Sequence, residues 1–308
     1  MGAAKVIEVH LHMPYPAALF CFCAIVALYV TMGGLKGVMY TDSLQGGIMF
    51  VGMIILLVLT YRGLGGIVEA HEQLTALAPA AEKVFGPAGH RGWTAMPAFG
   101  SKFWWILVSS IIMGVGIGVL AQPQLAVRYM TVRSRQELNR AILIGGLFIL
   151  MMTGVAFVVG ALSNVYFSND PSVDSIAFLA ADKSVGNIIP LFIKNYMPGW
   201  LSSVIVVTLL AAAMSTVSSQ FHAMGTAASR DVYETASRLR TGGMRSILAA
   251  RIGIVLTLIL SFMLAYVLPI YFEKTGTAII ARGTAIFFGL CASTFLPMYV
   301  GALYSRRI

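Results

Sequence analysis

Charge is what this sequence has least of. Only 11% of its 308 residues are Asp, Glu, Lys or Arg, against about 25% in an ordinary soluble globule, and that scarcity excludes a soluble enzyme with a solvated surface. Cysteine is scarce as well. Cys21, Cys23 and Cys291 all fall in apolar runs, where a thiol behaves as a small hydrophobe, so neither a disulfide framework nor a thiolate metal site is implied. Catalytic signatures are missing too. There is no HExxH, no GxSxG, no P-loop and no pair of carboxylates inside one apolar run, which removes the metallohydrolase, serine-hydrolase, nucleotide-hydrolysing and acid–base readings. His10 and His12 make one H-x-H pair, too few ligands to hold a metal. The chain reads as a non-enzyme.

What it has in abundance is apolar side chains, at 58% of the total, with a mean hydropathy of +0.84. A membrane-spanning helix needs about 20 apolar residues. Stretches poor in charge occur at about 14–35, 43–61, 103–127, 141–167, 198–227, 247–270 and 283–304. They predict an all-α integral membrane protein of about seven transmembrane helices, with residues 1–308 as one membrane domain in contact with the lipid bilayer. The segment 62–102 contains Gly65, Gly66, Pro79, Pro87 and Pro97 and reads as an external loop. A net charge of +9 does not make the chain a nucleic-acid binder, because its Lys and Arg sit in short loops and not on one soluble face. The compact loops carrying Arg128, Arg133, Arg135 and Arg140, and then Arg230, Arg238, Arg240 and Arg245, are dense in Arg and are expected on the cytoplasmic side. That places the amino terminus outside and the carboxyl terminus inside the cell membrane.

Two of the apolar runs carry polar or flexible features. In the third, Gly114, Gly116 and Gly118 alternate and are followed by Gln122 and Pro123. Proline has no N–H, so the carbonyl of Val119 loses its partner in an α-helix, and a freed carbonyl persists in a membrane only against protein or a water-filled cavity. Discontinuous helices of this kind build the sites of secondary transporters. An ordinary kinked span with glycines for close packing has the same spacing, and both readings stay open. The fifth run carries no charge from Asn195 to Ser229, so it is too long to cross a hydrocarbon core of about 30 Å as one upright helix. At 100° per residue, Thr208, Ala212, Ser215, Thr216, Ser219 and Ala223 fall on one stripe. Either the stripe packs against a neighbouring helix, or Ser215 and Thr216, with a carbonyl near Ala212, surround a small hard cation. His222 lies off the stripe as a structural side chain or a proton relay. Asp42, at a span boundary, is read as a cap for the second helix.

Three stretches go further when taken together. Gly33 to Met49 (GGLKGVMYTDSLQGGIM), Gly114 to Val132 (GVGIGVLAQPQLAVRYMTV) and Ala211 to Tyr233 (AAAMSTVSSQFHAMGTAASRDVY) resemble, in order and spacing, three signature regions of the sodium:solute symporter family. That family includes sodium-coupled proline, pantothenate and sugar transporters. The resemblance implies a partial inverted-repeat fold of the leucine-transporter type, whose spans here correspond to the family's fifth to eleventh. It implies sodium as the coupling ion, no other cofactor or metal, and ligation by the carbonyl of Ala212 and the hydroxyls of Ser215 and Thr216. It also implies that the broken helix, with Val115, Gly118, Val119 and Gln122, lines a substrate pocket. Relatives that take proline or sugars place aromatic or polar residues where this chain has Val115 and Val119, which argues against those substrates. The family's first four spans have no counterpart here, and relatives continue beyond the last residue. The expectation is therefore a truncated or partial sodium-coupled symporter of a small organic solute, unable to complete coupled transport alone. Two alternatives stand beside it: a non-transporting sensor or scaffold module, and a half-transporter completed by a complementary N-terminal membrane chain.

Overall fold

Inside a bilayer the backbone has no water to bond, so a spanning segment must close its hydrogen bonds within itself. The computed structural model of the chain obeys that constraint with helices alone. It describes all residues except 1–2, 5–6, 9–11, 184, 236–243, 272–275 and 306–308, and among the described residues there is no strand. His10, Arg238 and Arg240 lie outside the described residues.

The longest elements, in chain order, are α1 (Tyr15–Gly63), α6 (Arg135–Asn169), α9 (Gly199–Ala227), α10 (Met244–Tyr271) and α11 (Gly276–Tyr304). Shorter helices lie between them: α2 (Ile67–Ala76), α3 (Ala78–Phe85), α4 (Lys102–Trp105), α5 (Pro123–Met130), α7 (Ala177–Ala180) and α8 (Val185–Tyr196). Six helices among the described residues are long and apolar enough to cross a membrane. The sequence suggests seven spans, and the difference lies in α1. Its 49 residues would extend about 73 Å at 1.5 Å per residue, more than twice a hydrocarbon core, and they contain both the 14–35 and the 43–61 runs. The helix is interrupted at the end of the first run, at Gly34, whose φ of 55° and ψ of −159° are not helical. A residue with a β-carbon is strained at such a φ, so glycine is needed where the helix is interrupted.

By backbone proximity the chain divides into two compact units, Met1–Gly52 with Val204–Gly276, and Met53–Ser203 with Thr277–Ile308. In the first unit Phe22, Val26 and Val30 recur every fourth residue on α1 and so share a face. They pack with Val38, with Phe221 of α9 and with Ile254 of α10. The contact between α9 and α10 depends on two glycines. A β-carbon on Gly225 would sit 2.2 Å from Ile254 Cγ1 and 2.9 Å from the carbonyl oxygen of Ala250, and one on Gly253 would sit 2.9 Å from Ala228 Cβ. Membrane helices associate through such close backbone approach, because lipid offers no hydrophobic drive between them. The Tyr15 hydroxyl donates to the carbonyl of Ala265 at 2.8 Å, adding a polar tie between α1 and α10.

In the second unit the 62–102 segment, read from its Gly and Pro content as a loop, folds into α2 and α3. Ala70 and Leu74, four residues apart on α2, are buried against Leu64 and against Leu162 and Val165 of α6. That amphipathic spacing was present in the sequence, but the glycines before it and the prolines after it obscured it. The Tyr166 hydroxyl donates to the carbonyl of Thr60 at 2.9 Å, joining α6 to the end of α1. Ser134 opens α6 by accepting a hydrogen bond from the Glu137 N–H at 3.2 Å, an ordinary N-cap. At the other end of α6, Asp170 accepts from Ser172 and from the Tyr196 hydroxyl, the latter at 2.9 Å. Those bonds hold the carboxyl below its usual range, the two from Ser172 contributing most. Burial, together with the Asp170 carboxylate, pushes the Tyr196 hydroxyl up to about 12.

Gly225→Ala should therefore destabilise the protein by about 1–3 kcal/mol, the usual range for overpacking, because a backbone carbonyl cannot move aside cheaply. Gly154→Ala on α6, where an added β-carbon meets nothing within 4 Å, should be neutral or mildly stabilising. Thermal unfolding in detergent micelles distinguishes the two.

Candidate functional site

The hydroxyl-bearing stripe lies on one straight helix, so its residues hold a fixed relation to one another. On α9 the Ser215 hydroxyl donates to the carbonyl of Ala212 at 3.0 Å and the Thr216 hydroxyl donates to the same oxygen at 2.9 Å. All three proposed ion ligands thus share one turn. Ser215 is half-buried and Thr216 is exposed. A hydroxyl that gives its proton to a carbonyl behind it presents only lone pairs forward, which is the donor chemistry a hard cation needs. The Ala212 oxygen is occupied by both hydroxyls. It can act as a ligand itself only where those hydrogens turn away.

The amino-terminal part of the stripe behaves differently. Thr208 is buried and donates to the carbonyl of Val204 at 2.8 Å. A β-carbon on Gly52 of α1 would lie 2.0 Å from its hydroxyl oxygen. Here the small-residue stripe serves packing, while two turns further along the Ser215 and Thr216 hydroxyls are half-buried or exposed. Ser219 continues the pattern, within 3.0 Å of the carbonyls of both Ser215 and Thr216.

Asp42 was read as a helix cap, and the structure places it elsewhere. No helix begins at Asp42, because α1 continues through it from the break at Gly34. Its carboxylate Oδ1 lies 3.1 Å from the hydroxyl of Ser218, which is fully buried and also lies 3.1 Å from the carbonyl of Ser215. Tyr29 donates its hydroxyl to the carbonyl of Met214 at 3.2 Å, with Ser218, Gln45 and Asp42 around it. Gln45 is 8% exposed, and its Oε1 has no hydrogen-bond partner. Within the first unit Ser218, one turn beyond Ser215, therefore meets an acid from α1. Sequence reasoning missed this group because Asp42 and Ser218 are 176 residues apart; the one available signal was an acid inside a motif otherwise poor in charge. His222 is half-buried on the same helix, and its carbonyl accepts from Thr226 at 3.0 Å.

The broken helix belongs to the second unit. After the single turn of α4 the chain forms a π-helix over Ile106–Ile117, then a 3-10 turn over Val119–Ala121. It opens at Gln122, whose φ of −68° and ψ of 130° are extended, and restarts with Pro123 in the first turn of α5. The break falls where Pro123 requires it. The Val119 carbonyl, expected to lose its partner, instead accepts the Gln122 N–H at 3.3 Å, because the tighter 3-10 turn supplies a donor three residues on in place of the missing one. The π-helix was not legible in the sequence; its i→i+5 bonding is rare and occurs mostly at functional sites. Val115 and Val119 are half-buried here. Gln122 is buried, and its Oε1 accepts from the Gln124 side chain at 2.7 Å. Gly118 meets α11: a β-carbon there would stand 2.3 Å from the carbonyl oxygen of Phe288.

Comparison with known proteins gives the chain's family and fold. The family model described as the sodium:solute symporter family matches residues 1–308. A sodium/pantothenate symporter of Haemophilus influenzae is 28% identical over 236 residues, which is 77% of this chain and 44% of that protein. The high-affinity proline transporter PutP of Bacillus subtilis is 28% identical over 305 residues, covering 97% of this chain and 56% of its own length. Among solved structures, one described as the substrate-bound outward-open state of a Na+-coupled sialic acid symporter, revealing a novel Na+-site, aligns with a TM-score of 0.75 at 21% identity. That alignment covers 99% of this chain and 59% of the other. The likeness establishes the fold as an all-helical membrane architecture of the leucine-transporter type. The chain spans about half the length of the curated relatives it matches.

If Asp42 serves the site and not the fold, Asp42→Asn should keep stability within about 1 kcal/mol of the parent. The amide retains an acceptor, and Ser218 has a second one in Ser215, so no buried hydroxyl is stranded. A melting transition lowered well beyond that in detergent would make Asp42 a structural residue.

Proposed function

This chain belongs to the sodium:solute symporter family, and from that premise we propose that it carries the ion-binding turn and the broken helix of a sodium-coupled symporter for a small organic solute. The observation that carries the reading is the α9 turn, where Ser215 and Thr216 both fold their hydroxyl hydrogens onto the Ala212 carbonyl and leave their lone pairs for a cation. Sodium is the transported coupling ion at this turn, with the Ser215 and Thr216 hydroxyls as its ligands from this helix, the Ala212 carbonyl joining them where their hydrogens turn away, and the Asp42 carboxylate further along against Ser218. The remaining ligands come from the part of the family's fold outside the length that this chain spans. Val115, Gly118, Val119 and Gln122 line the solute pocket along the broken helix. Residues 1–308 form one membrane domain of a protein integral to the cell membrane, with the amino terminus external and the Arg-rich loops around Arg133 and Arg135 cytoplasmic.

The mechanism is alternating access. Sodium stabilises the outward-open state by its greater affinity for it, solute joins, the helices rock, and both leave inside. One sodium charge moving through 100 mV supplies about 2.3 kcal/mol, and a tenfold gradient adds about 1.4 kcal/mol. Together they support accumulation of a few hundred-fold, and no covalent chemistry is required.

Pantothenate, proline and sialic acid, the solutes named for the relatives, are carboxylic acids and form the panel to try, with pantothenate first because Val115 and Val119 argue against proline and sugars. The test is uptake of each labelled acid by proteoliposomes holding the protein. Uptake should require an inward sodium gradient, and Ser215→Ala with Thr216→Ala should raise the half-saturating sodium concentration roughly tenfold or more, equivalent to about 1.4 kcal/mol. Uptake that is equal in potassium, or unchanged by the double substitution, contradicts the reading.

A further inference from the structure

The segment 92–101, between α3 and α4, is built with more care than a solvent loop needs. The Ala98 N–H donates to the Gly89 carbonyl at 2.8 Å, and the Ser101 N–H donates to the Ala98 carbonyl at 3.0 Å. The Gly92 N–H donates to His90 Nδ1 at 3.1 Å. Gly89, Gly92 and Gly100 take φ values of 93°, 98° and 73°, a region that most side chains avoid, so the path of the loop is fixed. At its base the His90 ring is held edge-on against Trp93 and Phe103, at 5.5 and 5.4 Å. Such a loop is not free to fold its apolar side chains inward.

Those side chains point outward. Phe99 is 88% exposed and Met96 60%. The Phe99 ring stands 4.8 Å from Trp104, and Trp104 stands 4.8 Å from Trp105, each pair edge to face. The row leads without interruption into Lys102–Ala121, a helix apolar enough to cross a membrane with only 6% of its most apolar window buried inside the protein. Most of that window faces away from the rest of the chain, and the aromatic row continues the same apolar surface. Between Arg91 and Lys102, both exposed, the segment contains no charged residue at all. An uncharged aromatic tip flanked by two cations matches the layered chemistry of a bilayer edge: rings at the level of the carbonyls and glycerol, with ammonium and guanidinium groups reaching phosphate.

We infer that residues 92–101 form an aromatic finger seated in the headgroup region of the membrane, with the lipid interface itself as its partner, and that it fixes the depth at which the broken helix enters. Phe99 and Met96 contact the acyl boundary, Trp104 and Trp105 occupy the interface, and Arg91 and Lys102 bracket them. The segment 62–102 is thereby divided: α2 and α3 lie in water, while the finger dips back into the bilayer.

The test uses nitroxide labels in the protein reconstituted into phosphatidylcholine–phosphatidylglycerol vesicles, with Cys21, Cys23 and Cys291 replaced by Ala. Labels at Phe99→Cys and Met96→Cys should be relaxed several-fold more by oxygen than by a water-soluble nickel chelate, and a label at Glu72→Cys on exposed α2 should show the reverse. In protein that keeps its native cysteines, with Trp93→Phe and Trp200→Phe, tryptophan quenching by lipids brominated near the headgroup should be strong. Nickel access at 99 and 96 equal to that at 72 would place the finger in water. Protection from both relaxers would place it against protein. Either result, or an absence of lipid quenching, overturns the proposal.

Discussion

The structure depends on one constraint: a backbone polar group inside a bilayer must find its partner within the protein. Long uninterrupted helices satisfy it by default, and α6 and α9, which contain no proline, do so. Each interruption needs a local remedy. At Gly34 the remedy is a residue without a β-carbon, which can take φ 55° and let the helix resume. At Pro123 it is a 3-10 turn, which gives the Val119 carbonyl to the Gln122 N–H before the helix restarts. The Gln122 carbonyl then accepts from both Leu125 and Ala126. These two remedies fix where the fold bends, and the second lies in the segment expected to meet the solute.

The same constraint explains how α9 serves two purposes along one stripe. Hydroxyl side chains in a membrane helix satisfy themselves by donating to a carbonyl three or four residues back. Thr208 does so and then packs against Gly52. Ser215 and Thr216 do so onto a shared oxygen, in a less buried part of the helix. Identical local bonding thus yields a packing surface at one end and a set of outward lone pairs at the other. Burial decides between them. The acid and amide that α1 brings up, Asp42 and Gln45, lie beside the second location, Asp42 through the Ser218 hydroxyl.

Most of the helix count was legible in the sequence, because spanning runs announce themselves by length and lack of charge. Gly33 and Gly34 marked the end of the first run, although α1 resumes through the polar stretch around Asp42 as one kinked element. Pro123 marked the break to the residue. What could not be read were features set by distant partners or by rare backbone states. Asp42 looks like a helix cap until the fold brings Ser218 to it. The π-helix over Ile106–Ile117 has no compositional mark beyond its glycines. The amphipathic face of α2, Ala70 with Leu74, sits among prolines and glycines that read as loop, and its burial against α6 is a tertiary fact.

The most direct test of the central claim, that the Ala212–Thr216 turn holds sodium, is the unfolding transition of the full-length protein in detergent, titrated with sodium chloride against choline chloride at constant ionic strength. A bound ion stabilises by RT ln(1 + [Na+]/Kd), about 2.7 kcal/mol at a hundredfold excess over Kd. The account predicts a transition that rises with sodium and not with choline, and whose rise disappears in Thr216→Ala while the sodium-free transition stays in place. A transition that responds equally to both salts, or a sodium response that survives Thr216→Ala, would contradict it.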